Sequence, residues 1–453
     1  MEISKFSIFK LHDSYDFELV FKDNTLILLG ENGSCKTTII KMLFYTLSLQ
    51  WAKLTNYNFE KIEIAFKTKV YQLYKKDIMS IADIDMRKLR HLPSYLRHEI
   101  MEMKRRDMFD LEQIQHLCML YDVPIEYILG MANDSMLELF QTSSSKSQQR
   151  KLLKVREELR EHLGDIHILY LPTYRRIEQE LKVVLAGRID EEDYRQEQRN
   201  RQSQEPYTEL IEFGMKDVQE AIDTTLTTLK ESSRNNLNQM TLGYLGDIVE
   251  EKYANIEISE LKDVGDDTIQ SIMNRVDETI LSTSSKKKLS TTLKEIKNEG
   301  VKNDHDKVVC HYFIKLLHSH NELIQKEKNI REFIAVCGKY LKNKTISYDS
   351  PTFTFSILSN RDGQKVELYQ LSSGEKQIVS LFSQIYLSNQ QNYFVLIDEP
   401  ELSLSVQWQR TFLEDIRNSQ FCSGLVAVTH SPFIFENSLD AYAKGLSEFT
   451  KES

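Results

Sequence analysis

Two short segments far apart in the sequence carry residue types suited to phosphate chemistry. The first, LILLGENGSCKTTIIK at residues 26–41, places Gly30 and the pair Lys36-Thr37 at the spacing of the loop pattern G-x-x-x-x-G-K-[ST]. In such a loop backbone N–H groups surround phosphates, the lysine ammonium reaches the outer oxygens, and the hydroxyl ligates Mg²⁺. The expected nucleotide-binding residues are Gly30, Asn32, Gly33, Ser34, Cys35, Lys36, Thr37 and Thr38.

The second segment, FVLIDEPE at residues 394–401, is an apolar strand that ends in two carboxylates. Ligands bind at the carboxyl ends of strands in parallel sheets. We therefore expect Asp398 to hold Mg²⁺ together with Thr37, and Glu399 to polarise the attacking water. A later apolar segment, LVAVTHSP, ends in His430, which can hydrogen-bond a γ-phosphate and respond to its loss.

A third feature, LSSGEKQ at residues 371–377, places serines and a glycine before a helical pattern. Hydroxyl and free N–H groups at a helix start can close on a phosphate. Its candidate nucleotide-binding residues are Ser372, Ser373, Gly374 and Glu375. Each feature alone also fits a structural role, as a chance match, a helix cap, an acidic turn or a core histidine. Their order, each at a strand end or a helix start, favours one nucleotide site.

Cys35 departs from the loop pattern, because it stands where the second glycine is usual. Only some glycines of such a loop need positive φ or close backbone approach. Gly30 and Gly33 remain, so we expect a small side chain with negative φ to fit at position 35 and the site to function. A thiol at a helix N-terminus is also expected to have a lowered pKa.

The surrounding pattern predicts elements that can position these residues. Short apolar stretches over residues 3–30 predict strands, residues 59–74 predict a hairpin, and the segment after the glycine loop has helical periodicity. Residues 80–165 and 200–345 are rich in helix formers, while the segment 142–150, TSSSKSQQR, is typical of an exposed linker.

Three blocks follow from this pattern, in an α/β fold with a large helical insertion. The expected domains are residues 1–80 and 346–453, forming the two parts of one nucleotide-binding head, and the mainly helical 81–345, interrupted by a core strand near 166–172. The C-terminal block is predicted to begin with strands and to end in α/β structure.

Composition limits the classes of function. The 453 residues are 41% hydrophobic and 28% charged, with a net charge of −10, so nothing global attracts nucleic acid. Local basic groups at 103–106, 175–176 and 286–288 are most simply solvated surface. The five cysteines form no C-x-x-C pair, and the N-terminus has no signal-peptide pattern, which together favour a reduced, cytoplasmic protein without a membrane span.

These motifs together resemble those of ABC-type ATPases of the SMC/Rad50/RecF/OLD branch. The resemblance rests on Walker A at 30–37, a signature at 371–377, Walker B at 394–399 and the switch histidine His430. The resemblance implies a head with a mixed sheet, flanking helices and an antiparallel β subdomain, whose two halves lie at opposite ends of the chain with helical material between them. The signature is the specific part, since Walker motifs alone do not select this branch.

The resemblance implies slow ATP hydrolysis with Mg²⁺ as cofactor. It also implies that two heads pack head-to-tail, so that Ser372 and Gly374 of one subunit close over ATP held by Lys36 of another. Catalysis would rest on Glu399 and His430. Gln179, or the stretch 173–176 before it, falls roughly where the family places its Q-loop glutamine, a metal-contacting residue.

The segments YLPTYRRIEQ and IDEPELSLSVQWQ are similar to compact ATPases of bacterial anti-phage systems. Only residues 431–453 follow His430, so a Toprim nuclease like that of OLD proteins is not expected in this chain. The resemblance then implies a separate effector and a phage trigger protein. The ATPase component of the PARIS system, AriA, with its Toprim partner AriB, is the preferred relative; the Septu ATPase PtuA, paired with an HNH protein, is the alternative.

Two other functions compete with this interpretation. A DNA-repair or chromosome-maintenance ATPase of RecF or SMC type would bind duplex DNA across its dimer, which the acidic charge disfavours. The ATPase subunit of a transporter lacks a helical insertion of the length seen here between Walker A and the signature.

Overall fold

The computed structural model describes residues 1–31, 33–82, 143–173, 207–209, 214–256, 259–276, 278, 281–388, 390 and 392–452. The chain forms two compact units: Met1–Glu212 with Gln390–Ser453, here called the head unit, and Phe213–Asn389, here called the helical unit. The predicted boundaries at 80/81 and 345/346 differ from these and remain predictions.

The head unit contains an antiparallel five-stranded sheet in the order β13-β2-β1-β4-β5. Its strands are β1 Ile3–Leu11, β2 Tyr15–Val20, β4 Lys61–Phe66, β5 Val70–Tyr74 and β13 Thr450–Glu452. In β4 every second residue is buried, and Ile62 and Ile64 lie opposite Leu73 and Tyr71 of β5. This alternation is the period of two that predicts a half-buried hairpin.

The second sheet of the head unit is parallel, in the order β12-β3-β11-β10-β6-β7. Its strands are β3 Thr25–Leu29, β6 His167–Leu171, β7 Tyr207–Glu209, β10 Tyr393–Asp398, β11 Cys422–Thr429 and β12 Ala443–Gly445. All residues of β6 and β10 are buried, as expected for strands covered on both faces. Because the strands are parallel, β3, β10 and β11 end at the same edge of the sheet.

Helices of the head unit cover these sheets. They are α1 Lys36–Leu47, α2 Trp51–Leu54, α3 Lys75–Ala82, α4 Ser143–Leu163 and α11 Val406–Arg417. In α1 the apolar residues recur at helical spacing, and the Phe44 ring stacks on Tyr170 of β6 at 4.7 Å between centroids. This burial fixes the start of α1, and with it the glycine loop, against the strands that carry the carboxylates.

The helical unit is built on two 35-residue helices, α5 and α9, with shorter helices and a hairpin. Its elements are α5 Met215–Val249, α6 Ser259–Lys262, α7 Asp266–Arg275, α8 Thr283–Glu299, α9 Asp304–Gly338, α10 Ser373–Leu387 and the antiparallel strands β8 Lys344–Asp349 and β9 Thr354–Ser359. Buried residues of α9 such as Phe313, Leu316, Leu323 and Ile330 follow helical spacing.

The predicted α/β class is confirmed by this combination of sheets and helices. One local prediction is wrong: residues 143–150, taken as a linker, form the first turns of α4. Serines are favoured near helix starts, and the Gln, Lys and Arg that follow are good helix formers. Within the described part of the chain, none of the helices combines the length and apolar character needed to span a bilayer.

Candidate functional site

The glycine loop connects β3 to α1 and turns tightly around the Lys36 side chain. A Cβ at Gly30 would come 2.8 Å from Ser34 Oγ and 3.2 Å from Lys36 Cδ, so a side chain there would displace both of these loop side chains. Gly33 has φ +83°, in the left-handed region that favours glycine. The two glycines retained by the sequence thus stand where the backbone needs them.

Lys36 is the first residue of α1 and is only 5% exposed. Its Nζ donates to the carbonyl oxygens of Gly30 at 2.8 Å and Glu31 at 2.7 Å, which holds the ammonium inside the loop. Burial lowers the pKa of Lys36, while the carboxylates of Asp398 and Glu399 oppose this shift. A partly desolvated ammonium in a loop of backbone N–H groups is suited to bind phosphate oxygens.

The backbone φ and the thiol pKa of Cys35 both differ from what the sequence predicts. It has φ +66° and ψ 11°, so the residue is left-handed and not at the negative φ expected from the sequence. This explains why the pattern has glycine at the position, since a Cβ there is strained. The expected lowering of the thiol pKa is also wrong, because burial raises the pKa of Cys35.

Asp398 lies at the end of β10 and is 2% exposed. Two hydroxyl groups donate to its carboxylate: Thr37 Oγ1 to Oδ1 at 3.2 Å, and Thr173 Oγ1 to Oδ2 at 2.6 Å. Thr37 follows the glycine loop after β3 and Thr173 follows β6, so the carboxylate joins two segments that leave the same edge of the sheet. Buried carboxylates need such donors.

The donor chemistry here fits Mg²⁺. Thr37 and Asp398 offer hard oxygen ligands, and Mg²⁺ in nucleotide sites is held by one or two protein oxygens together with phosphates and water. Accordingly, the described residues include no cluster of three or more His, Cys, Asp and Glu side chains of the kind that forms an all-protein metal cage. Thr37 and Asp398 are the residues that would hold the ion.

Glu399 follows Asp398 with φ +53°, and its N–H donates to Val428 O of β11 at 2.8 Å. Its Oε1 lies 3.2 Å from Nε2 of His430, the residue after β11. Burial, together with the neighbouring Glu401 carboxyl, raises the pKa of Glu399 to about 8. A carboxylate with a pKa near neutrality, next to a histidine, is suited to accept a proton from water.

The signature residues lie in the helical unit, at the start of α10. Ser372 is the N-cap: its Oγ accepts from the N–H of Glu375 at 3.4 Å, while the Glu375 carboxylate accepts from the Ser372 N–H at 2.9 Å. Glu375 is 3% exposed and its Oε1 bonds Lys344 Nζ at 2.7 Å. Its carboxylate is therefore engaged within its own unit, where it holds Ser372, and its contact with nucleotide stays a prediction.

The head unit thus brings together five predicted residues from three strand ends: Lys36, Thr37, Asp398, Glu399 and His430. Asn32 and Gln179 lie outside the described residues, so their predicted roles are unchanged. The described part of the predicted Q-loop stretch contributes Thr173, as a partner of Asp398. The roles of all these residues in binding and catalysis stay predictions.

Sequence reasoning missed Glu401 and Gln409. Glu401 accepts hydrogen bonds from the turn that carries His430, and Gln409 of α11 bonds the same turn. The letters DEPE offer a signal for Glu401, since this carboxylate closely follows Asp398 and Glu399 in the same motif.

Known proteins resemble the chain at several levels. Two Smc head structures are similar to the chain at 10% identity, and each match covers 98% of it. One is bound to the C-winged helix domain of ScpA, with 94% of that chain covered and a TM-score of 0.35. The other, derived from Pyrococcus furiosus, has an extended coiled coil, with 93% of that chain covered and a TM-score of 0.34.

A curated relative, the "Retron Vc95 probable ATPase" of Vibrio cholerae serotype O1 biovar El Tor, is 28% identical over 137 residues, or 28% of this chain. The match spans only 26% of that relative's length. The model of the family described as "AAA domain, putative AbiEii toxin, Type IV TA system" matches residues 143–436, which include the signature, Asp398, Glu399 and His430. Because this is more than half of the chain, the protein belongs to that family of AAA-type ATPases.

Proposed function

We propose that this protein binds and hydrolyses MgATP and acts as the sensor and scaffold ATPase of a bacterial anti-phage system. The observation that carries the proposal is the meeting, at one sheet edge, of Lys36, Thr37, Asp398, Glu399 and His430. A buried ammonium, a hydroxyl–carboxylate pair and a carboxylate–histidine pair are the groups that phosphoryl transfer to water requires.

Each residue has a distinct part in this chemistry. Lys36 neutralises the outer phosphate oxygens, and the glycine loop orients them. Bound Mg²⁺, held by Thr37 and Asp398, supplies charge neutralisation for the phosphates. Glu399 accepts the proton of the attacking water, and His430, 3.2 Å from it, orients that carboxylate and donates toward the γ-phosphate.

Assembly around ATP is the second part of the proposal. Ser372 and the N–H groups at the start of α10 form an anion-binding helix end on the helical unit. We assign this end to ATP held by another subunit, in a head-to-tail pair, so that hydrolysis releases the pair. The Ser372–Glu375 capping box and the Lys344 ion pair hold this end of α10 in place; the Ser372 hydroxyl, which donates to Glu375 Oε2 at 2.9 Å, would exchange that bond for one to a phosphate oxygen.

A defence role is supported by the family, whose description places it with toxin–antitoxin systems, and by the retron ATPase relative. In this role the ATP-bound assembly holds a separate nuclease inactive until a phage protein is sensed. A Toprim nuclease is the preferred effector and an HNH nuclease the alternative.

Molecular mass in solution tests the assembly. Glu399→Gln should accumulate a larger species with MgATP, whereas Lys36→Ala and Ser372→Arg should not. A mass of Glu399→Gln that is the same with and without ATP would contradict assembly around the nucleotide.

Co-expression with the adjacent gene product tests the defence role. We expect co-purification, together with phage resistance that is lost with Lys36→Ala. Resistance that persists in that variant, or salt-dependent binding of duplex DNA by the isolated protein, would favour the DNA-maintenance alternative.

A further inference from the structure

The Glu401 carboxylate connects two turns that the fold brings together from separate strands. One turn follows β10 and carries Glu399, and the other follows β11 and carries His430. Glu401 lies in the first turn, where the Leu404 N–H donates to its carbonyl at 3.1 Å. Its side chain, however, reaches into the second turn.

Three consecutive residues of the second turn donate to this one side chain. Thr429 Oγ1 donates to Oε2 at 2.7 Å, and the N–H groups of His430 and Ser431 donate to Oε1 at 2.8 Å and 3.2 Å. The carboxylate therefore fixes the backbone of His430 from both sides. Hydrogen bonds to a charged acceptor are the strong class.

A second link between the same turns comes from α11. Gln409 Nε2 donates to Leu404 O at 3.0 Å, and its Oε1 accepts from Ser431 Oγ at 2.7 Å. Both links reach Ser431, Glu401 at its N–H and Gln409 at its hydroxyl. Gln409 anchors the segment after His430, whereas Glu401 holds His430 itself.

The imidazole of His430 is held to Glu399 by a single contact, Nε2 to Oε1 at 3.2 Å, and the side chain is 34% exposed. A partly exposed ring keeps such a contact only when its backbone is fixed. Glu401 supplies that restraint at the N–H of His430 itself.

We propose that Glu401 is a positioning residue for hydrolysis: its carboxylate clamps the His430 turn to the Glu399 turn and so sets the geometry of the Glu399–His430 pair. This inference rests on the proposed ATPase function. It assigns Glu401 to the rate of the chemical step and not to the binding of ATP, since its side chain bonds Thr429 at the end of β11, the turn that follows and Glu399, and not the described residues of the glycine loop.

Two conservative variants test whether the clamp requires the length of the Glu401 side chain or its charge. Glu401→Gln keeps the length and an oxygen for the two N–H donors, and the Thr429 hydroxyl can rotate to accept from the amide. Glu401→Asp keeps the charge but is one methylene too short to span both turns. A clamp requires reach. At about pH 9, where the Glu399 carboxyl is ionised with or without the charge of Glu401 beside it, Glu401→Gln should retain turnover within about fivefold, while Glu401→Asp should lose about 10- to 100-fold, as misplacement of reacting groups does.

Glu414→Ala is the matched control. The Glu414 carboxylate also accepts from the segment after β11, at the Ser438 N–H at 2.9 Å, but it belongs to α11 and makes no contact with the Glu399–His430 pair. Its single-turnover rate should stay within about twofold of wild type. Single-turnover hydrolysis and equilibrium ATP binding are measured for every variant, and ATP affinity should stay within about threefold.

A double-mutant cycle with His430→Ala, measured on the hydrolysis rate, distinguishes a residue that acts through His430 from one that only stabilises the fold. If Glu401 acts through His430, Glu401→Asp should slow hydrolysis by less than about threefold in the His430→Ala background. Equal slowing in both backgrounds, loss of ATP affinity alone, or an active Glu401→Asp with an inactive Glu401→Gln would each overturn the proposal.

The hydrolysis rates of wild type and Lys36→Ala distinguish a failure of this inference from a failure of the proposed function. Wild-type hydrolysis that is absent, or unchanged by Lys36→Ala, overturns both. Lys36-dependent hydrolysis with Glu401→Asp at the wild-type rate overturns only the role of Glu401. If Glu401→Asp fails to fold, Thr429→Val, which removes one donor to Oε2, replaces it, with an expected loss of about threefold to tenfold.

Discussion

Removal of the Thr173 hydroxyl should weaken the magnesium site. Thr173 Oγ1 donates to Asp398 Oδ2 at 2.6 Å, and this carboxylate is 2% exposed, whereas the second hydroxyl, Thr37 Oγ1, is more distant at 3.2 Å. A hydrogen bond to a charged group contributes about 1.5–3 kcal/mol. At about 1.36 kcal/mol for each factor of ten, Thr173→Val should lower kcat/KM for MgATP by roughly 10- to 150-fold.

The assay is steady-state phosphate release, titrated with MgATP and separately with free Mg²⁺. We expect a higher Mg²⁺ requirement, because an Asp398 carboxylate that lacks its shorter bond can rotate away from the ion. Thr173→Ser retains the hydroxyl and should keep near wild-type activity. Thr450→Val, which removes a hydroxyl bonded only to Leu446 O, is the control for loss of a threonine hydroxyl elsewhere in the head unit. Equal kcat/KM and equal Mg²⁺ dependence of Thr173→Val and wild type would refute this reasoning.

Three further predictions concern the loop, the base and the helical unit. Cys35→Gly should hydrolyse ATP at least as fast as wild type, and its free energy of unfolding should be at least about 1 kcal/mol above that of Cys35→Val, because φ +66° strains any residue with a Cβ. A Cys35→Val variant that is more stable than Cys35→Gly would contradict this. The value of kcat/KM in excess Mg²⁺ should rise with pH up to about 8, since burial raises the pKa of Glu399 to about 8 and the base acts when ionised. A kcat/KM that does not change between pH 6 and 8 would argue against Glu399 as the base. Glu327→Gln should destabilise the helical unit by about 3 kcal/mol or more, because Glu327 is 0% exposed and pairs with Arg275 and Arg331; hydrogen exchange in α9 that matches wild type would disprove it.

Much of the head unit could be predicted because its signals are local. The apolar run before Gly30 and the periodicity after Lys36 identify the strand, loop and helix directly. The alternation in residues 59–74 identifies the hairpin β4–β5 for the same reason. The rule that ligands gather at the carboxyl ends of parallel strands then places Asp398 and His430 at one edge.

The remainder depends on contacts between distant residues. Thr173 and Asp398 are 225 positions apart, and their bond follows from the pairing of β6 with β10, which no spacing reveals. The left-handed φ of Cys35 follows from the closure of the loop around Lys36, whereas a thiol in the sequence gives no sign of backbone conformation. Glu401 could not be assigned for the same reason, since its partners belong to another strand end.

The central claim is that the Lys36–Asp398–Glu399 cluster binds and hydrolyses ATP. Binding of radiolabelled ATP followed by single-turnover hydrolysis, measured in parallel on wild type, Lys36→Ala and Glu399→Gln, tests it most directly. The account predicts that Glu399→Gln binds ATP like wild type but hydrolyses it at least about 100-fold more slowly, and that Lys36→Ala fails to bind. Normal ATP affinity of Lys36→Ala, or wild-type turnover of Glu399→Gln, would contradict it.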